Sequence, residues 1–110
     1  MFKISDKPLE QMDLREGLCS DRAGALNCFE GRVRKENGGK AVSFLEYEAH
    51  EALCRTEAEN IFREAYQQFD IISANCFHRI GRLNIGDMAI WVGVIAAHRE
   101  ESFKACRYIV

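Results

Sequence analysis

The chain has 110 residues, which is enough for one domain with one modest core and not for two. Apolar residues make up 47% and charged residues 29%, the balance of a soluble globular protein rather than a disordered one. The formal net charge of -2 leaves no bulk attraction for nucleic acid or for an anionic membrane, and arginine outnumbers lysine ten to five within the basic set.

The N-terminal segment, Met1 to Lys7, lacks the apolar run of a secretion signal, and the longest apolar stretch, Met88 to Ala97, is too short to span a bilayer. A cytoplasmic protein is expected. Pro8 is the single proline, so every later element is free of the strongest helix and strand breaker.

Ala23 to Val33 reads as a first strand. It ends in Arg34-Lys35-Glu36-Asn37-Gly38-Gly39-Lys40, whose Asn-Gly-Gly is a turn signal. Ala41 to Ala49 follows as a second strand, so the two are expected to form a hairpin. His50 to Phe69 is the clearest helix. Leu53, Cys54, Ala58, Ile61, Phe62, Ala65 and Phe69 recur at three- and four-residue steps, with charges on the opposite face. Ile71 to Ile80 reads as a third strand, and Gly81 and Gly86 bracket a turn. Asp87 to Ala97 is a fourth strand, apolar on both faces: Met88, Ile90, Val92 and Val94 on one, Trp91 and Ile95 on the other. Such a strand belongs in the middle of a sheet.

From Arg99 the pattern turns helical, with Glu100 and Glu101 in the first turn, where carboxylates suit the helix dipole. The order strand-strand-helix-strand-strand-helix implies an α+β fold, a mostly antiparallel sheet with two packed helices. The last helix reaches Tyr108-Ile109-Val110 without a glycine or polar stop signal. Either it frays, or the domain spanning 1–110 lacks its C-terminal tail, and the second is the expectation adopted.

Two segments could hold an anion. Arg32 and Arg34 lie two apart at a strand end and share a face, where two guanidinium groups repel unless an anion lies between them. Pairing with Glu46 or Glu48 would serve equally well. His98 and Arg99 sit where a buried strand becomes a helix. That N-terminus offers free N–H groups, and a cation there opposes the helix dipole. A capping histidine beside a solvated arginine is the alternative. His78 shares an apolar face with Cys76 and Ile80 and reads as a satisfied core histidine. Cys19, Cys28, Cys54, Cys76 and Cys106 form no C-x-x-C pair and lie among apolar residues, so all five are read as structural thiols, with no metal site. No phosphate-cradling glycine loop, nucleophile elbow or Cys-His pair is present.

Taken together, Gly31-Arg32-Val33-Arg34, Leu45-Glu46-Tyr47-Glu48-Ala49, His78-Arg79-Ile80-Gly81-Arg82-Leu83 with Gly86-Asp87, and Ala96-Ala97-His98-Arg99 resemble the MoaE family, the large catalytic subunits of molybdopterin synthase. The match runs in order from about Asp21 to Val110. The resemblance implies an α/β-hammerhead-like fold. It also implies sulfur transfer from the thiocarboxylate on the Gly-Gly tail of a ubiquitin-like small subunit to cyclic pyranopterin monophosphate, which makes molybdopterin for molybdenum cofactor biosynthesis. Arg32, Val33, Arg34, His98 and Arg99 become substrate-binding residues, with no resident cofactor, in a homodimer within a heterotetramer. Lys35 stands where the family has asparagine. The family's catalytic lysines lie beyond position 110, so no catalytic residue is assigned. A tail-less homologue that binds the small subunit or a pterin phosphate without converting it is the alternative reading.

Overall fold

The computed structural model describes residues 1–37, 40–41, 44–47 and 51–110. Among these residues, eight strands and two helices follow in chain order: β1 (Phe2–Ser5), β2 (Ala25–Arg32), β3 (Glu36–Asn37), β4 (Lys40–Ala41), β5 (Phe44–Tyr47), α1 (Glu51–Gln68), β6 (Ser73–Arg79), β7 (Gly81–Asn84), β8 (Met88–Ala96) and α2 (Arg99–Ile109). A short 3-10 helix, Leu9–Gln11, follows β1.

The main sheet runs β1-β6-β8-β2. β8 lies inside it, antiparallel to both neighbours, as its two apolar faces require. The sheet is mixed rather than mostly antiparallel, because β1 pairs parallel to β6. That strand is four residues long and sits at the chain start, where period-two alternation has too few residues to register. Tertiary bonds hold it instead: the Met1 ammonium donates to the Ala74 carbonyl at 2.6 Å and Ile80 N–H to the Ser5 carbonyl at 2.9 Å.

The expected hairpin between the first two strands is not formed. β2 pairs with β8, and β5 pairs with β7, Glu46 lying opposite Arg82. The antiparallel turn-back is the two-residue pair β3–β4. Gly38 and Gly39 of the expected turn, residues 42–43 and 48–49 of the expected second strand, and His50 at the expected helix start lie outside the described residues. Gly81 to Asn84, read as part of a turn, is a strand; the turn narrows to Ile85–Asp87, where Asp87 Oδ2 accepts the Asn84 N–H at 2.9 Å.

Each face of the sheet carries its own core. On one, Val92, Val94, Ala74 and Cys76 pack against Ala65 of α1 and Ala105, Cys106 and Ile109 of α2. Ile109 is 9% exposed and Val110 N–H donates to Cys106 O at 3.0 Å, so the last turn of α2 is packed rather than frayed. On the other face Phe77, Trp91, Ile95 and Met88 are closed over by Leu9 and Leu18. Asn75 pins this covering loop by donating to the carbonyls of Leu14 and Glu16 at 3.2 and 2.8 Å.

Two residues depart from the expected faces. Met88 joins Trp91, not Ile90, because the register jumps from Gly31↔Ile90 to Arg32↔Met88 and leaves Ala89 as an extra residue; such a bulge reverses the alternation beyond it. Leu53, expected on the buried stripe of α1, is 58% exposed, since burial along that helix begins at Ala58.

Candidate functional site

The β2–β8 ladder positions both anion-binding candidates, and it places them at opposite ends. Ala25 pairs with Ala96 and Arg32 with Met88. Arg34 therefore lies beyond one end and His98 beyond the other. The eight residues of β2 separate them by about 24 Å of strand at ~3.4 Å per residue. Two side chains closing on one small molecule cannot span that within a single chain.

At the first end the chain alternates cleanly: Arg32 exposed, Val33 buried, Arg34 exposed. Val33 is 4% exposed, its N–H donates to Asp87 O at 3.0 Å, and its carbonyl accepts from Gly86 N–H at 2.8 Å. Its side chain is thus a core residue, and its role is to hold the two arginines outward on one face. Gly86 has φ +88°, a conformation that disfavours any residue with a Cβ, and this lets the 85–87 turn reach Val33. The alternative partners Glu46 and Glu48 have side chains outside the described residues, and Glu30 is the described partner of Arg32. Its Nη2 and Nε donate to Glu30 Oε2 at 2.8 and 3.2 Å. That hydrogen bond first, then the charges of Glu30 and Glu10, push the Arg32 guanidinium above its ordinary range. The signal for Glu30 is plain in retrospect: it sits two residues before Arg32 on the same strand face. Arg34 has no ion-pair partner among the described residues.

At the second end His98 is the residue before α2, in extended conformation (φ -127°, ψ 150°), and its side chain makes no capping bond. His98 and Arg99 are both exposed, and neither has an ion-pair partner among the described residues. The acids of the first turn are occupied elsewhere: Glu100 pairs with Lys104 at 3.2 Å, and Glu101 accepts the Asp70 N–H at 3.3 Å. Gly24 crosses the strand end so closely that a Cβ there would lie 2.4 Å from the Ala97 carbonyl oxygen. Its N–H donates to Ala96 O at 3.0 Å, which ties the start of β2 to the His98 segment.

Between the two ends runs β2, an edge of the sheet among the described residues, and α2 lies alongside it. A hollow of about 340 Å³ opens there, lined by Asn27, Cys28, Phe29, Cys106, Arg107 and Val110. Phe29, Phe103 and Val110 are 40%, 58% and 52% exposed on this flank. A second cavity of about 180 Å³ lies under α1 among Phe2, Ile61, Phe62, Cys76, His78 and Ile90. It is apolar and far in character from a phosphate site. His78 is half-buried there, and burial lowers its pKa, as a core histidine's should be. Burial also pushes the Cys76 thiol up to about 12. The reading of all five cysteines as packed residues fails for Cys19 and Cys28, which are exposed, Cys28 because its strand is the sheet edge.

Residues 4–110 match the family described as MoaE protein. The molybdopterin synthase catalytic subunit of Pyrococcus abyssi is 40% identical over 107 residues, covering 94% of this chain and 72% of that one. The crystal structure of molybdopterin synthase from Staphylococcus aureus superposes with a TM-score of 0.90 at 30% identity, covering 98% of this chain and 79% of that one. A chain from the complex of subunits 1 and 2 of the molybdopterin-converting factor from Helicobacter pylori shares the fold, with a TM-score of 0.74 at 24% identity, covering 96% and 72%.

Proposed function

This chain belongs to the MoaE family, and on that premise we propose that it is the catalytic subunit of a molybdopterin synthase. It takes sulfur from the thiocarboxylated Gly-Gly tail of a ubiquitin-like small subunit and transfers it to cyclic pyranopterin monophosphate, giving molybdopterin. The observation that carries the reading is the state of Arg34, His98 and Arg99: exposed, without ion-pair partners among the described residues, and held by rigid strand ends. Fixed donors of this kind suit a phosphate, whose charge they meet without reorganising. Arg34, His98 and Arg99 supply the binding part of the site. No helix among the described residues is long and apolar enough to cross a membrane, and the setting we assign is the cytoplasm.

The 24 Å between the two segments is closed by a second copy. Among the described residues β2 is an unpaired edge flanked by exposed Phe29, Phe103 and Val110, the surface a self-complementary contact uses. Pairing β2 antiparallel with β2 of a partner about a two-fold axis sets Arg32 and Arg34 of one copy beside Gly24 and Ala25 of the other. Those residues adjoin His98 and Arg99 of the partner subunit. Each dimer then holds two composite sites, and the small subunits complete a heterotetramer.

Mixing two inactive variants tests both parts. Arg34→Ala and Arg99→Ala are each expected to lose activity with a thiocarboxylated small subunit and cyclic pyranopterin monophosphate. Random mixing makes half of the dimers mixed, each with one intact site, so about a quarter of the wild-type activity returns. No product from the unmodified protein under these conditions would sink the synthase reading. Inactive variants that show no recovery on mixing would sink the shared site alone.

A further inference from the structure

The motif His78-Arg79-Ile80-Gly81-Arg82 contains an arginine that the site above does not use. Arg79 ends β6 and is 8% exposed. Its Nη2 donates to the Arg82 carbonyl at 3.2 Å, whereas Nε and Nη1 are buried without a hydrogen-bond partner among the described residues. A guanidinium stays charged at any accessible pH, so burial does not neutralise it. A buried charge with most of its donors idle is strongly unfavourable unless an anion meets it.

Its place in the sheet says which anion. Phe77 lies opposite Trp91 and Trp91 opposite Glu30, so one face of the sheet carries that row. Two residues further along, the same face carries Arg79 on β6, Met88 on β8 and Arg32 on β2. Arg79 is therefore on the Arg32–Arg34 end, two strand spacings or about 10 Å across. Three arginines share one end and one face, where Glu30 is committed to Arg32 and Glu10, which accepts the Met88 N–H at 3.1 Å, is a second described carboxylate. A doubly charged oxyanion balances such a set better than a single carboxylate, and the water-poor surroundings of Arg79 strengthen its bonds.

We propose that Arg79 is an anion-binding residue of this site, donating from one of its two idle groups, Nε or Nη1, to a phosphate. The proposal rests on the reading of the Arg32–Arg34 end as a phosphate site and adds a buried member to it. Nε–H and Nη1–H point to different sides of the Nη2 that the Arg82 carbonyl holds, so one phosphate meets one of them rather than both as a bidentate pair.

The test follows the arginine Nε–H resonances of the full chain by NMR during titration with inorganic phosphate. The Arg79 signal is identified by its loss in Arg79→Lys. A saturable shift of that signal, with phosphate affinity at least tenfold weaker in Arg79→Gln, is the expected result. An Arg79 signal that stays still at saturating phosphate overturns the proposal, and it does so from wild-type protein even where Arg79→Gln fails to fold. A signal that moves with a synthetic peptide ending in Gly-Gly carboxylate and not with phosphate overturns the phosphate assignment. Phosphate binding lost in Arg34→Gln but intact in Arg79→Gln overturns the role of Arg79 and leaves the synthase reading standing.

Discussion

The two ends of the β2–β8 ladder carry the same chemistry on different foundations. At the Arg32–Arg34 end the cations are held by a core residue, Val33, and by the 85–87 turn, and one of them is already tethered to Glu30. At the His98–Arg99 end the side chains stand at a strand-to-helix junction, with the neighbouring acids drawn away to Lys104 and Asp70. The difference teaches that a cation's availability is decided by its neighbours' commitments rather than by its own exposure. Arg32 and Arg34 are both exposed, yet only Arg32 has a described carboxylate partner.

The comparison breaks first if the two ends are not equally needed. Arg34→Ala and His98→Ala are each expected to cut turnover roughly 10- to 100-fold, the worth of about 1.5–3 kcal/mol for a hydrogen bond to a charged group. Unchanged melting temperatures beside those rates would place the loss in the site, and near-wild-type turnover at either position would remove that end from it. The foundations come next. Gly24→Ala forces a methyl into the Ala97 carbonyl and should cost about 1–3 kcal/mol in denaturant unfolding. Val33→Ala should cost about 2 kcal/mol by leaving a cavity. If both ends are built as described, Gly24→Ala impairs the function of His98 and Val33→Ala that of Arg34, which the mixing experiment resolves by complementation.

Smaller effects sharpen the picture. Glu30→Gln releases Arg32 while leaving the unfolding midpoint nearly unchanged, since the pair is exposed. Phosphate affinity should rise by roughly two- to fivefold, read by titration calorimetry, and a fall would mean that Glu30 orients Arg32 productively. The smallest effect concerns His78. Its pKa is lowered in the fold, so the unfolded chain binds the proton first as the pH drops. Stability is therefore unaffected by this group above about pH 6.5 and declines as the pH falls below it. Cys54, Glu57 and Cys76 line the same cavity. The His78→Gln variant isolates the histidine's share of the decline from that of its neighbours.

The interior was more legible than the edges. The two apolar faces of Trp91 to Ala96 announced a central strand, and the three- and four-residue steps from Ala58 to Phe69 announced a helix, because burial on a fixed period leaves a record in every turn. β1 left none: four residues whose pairing depends on β6, more than sixty positions away, carry no local period. Nor did Arg32 declare its partner, since an acid at i−2 on a strand is read as surface until the strand is seen to be an edge. Arg79 was hidden most thoroughly. Nothing local distinguishes an arginine that ends a strand in solvent from one that ends it beneath another strand, and the motif that includes it signalled kinship rather than burial.

The extra residue at Ala89 has a consequence for how this strand tolerates change. On the Val92 side of it, odd and even positions obey one rule; on the Met88 side they obey the opposite one. A redesign or a natural drift that treated β8 as a single alternating string would shape the side chain at Met88 for the Val92 layer, not for the layer closed by Leu9. Deleting one residue there would bring the string back into phase and at the same stroke turn Asp87 and the Val33 clamp to the wrong side. The irregularity thus works as a checksum on length. Strand β8 can exchange its residues one for one, but it cannot lose the odd one out without misdirecting the arginines across the ladder.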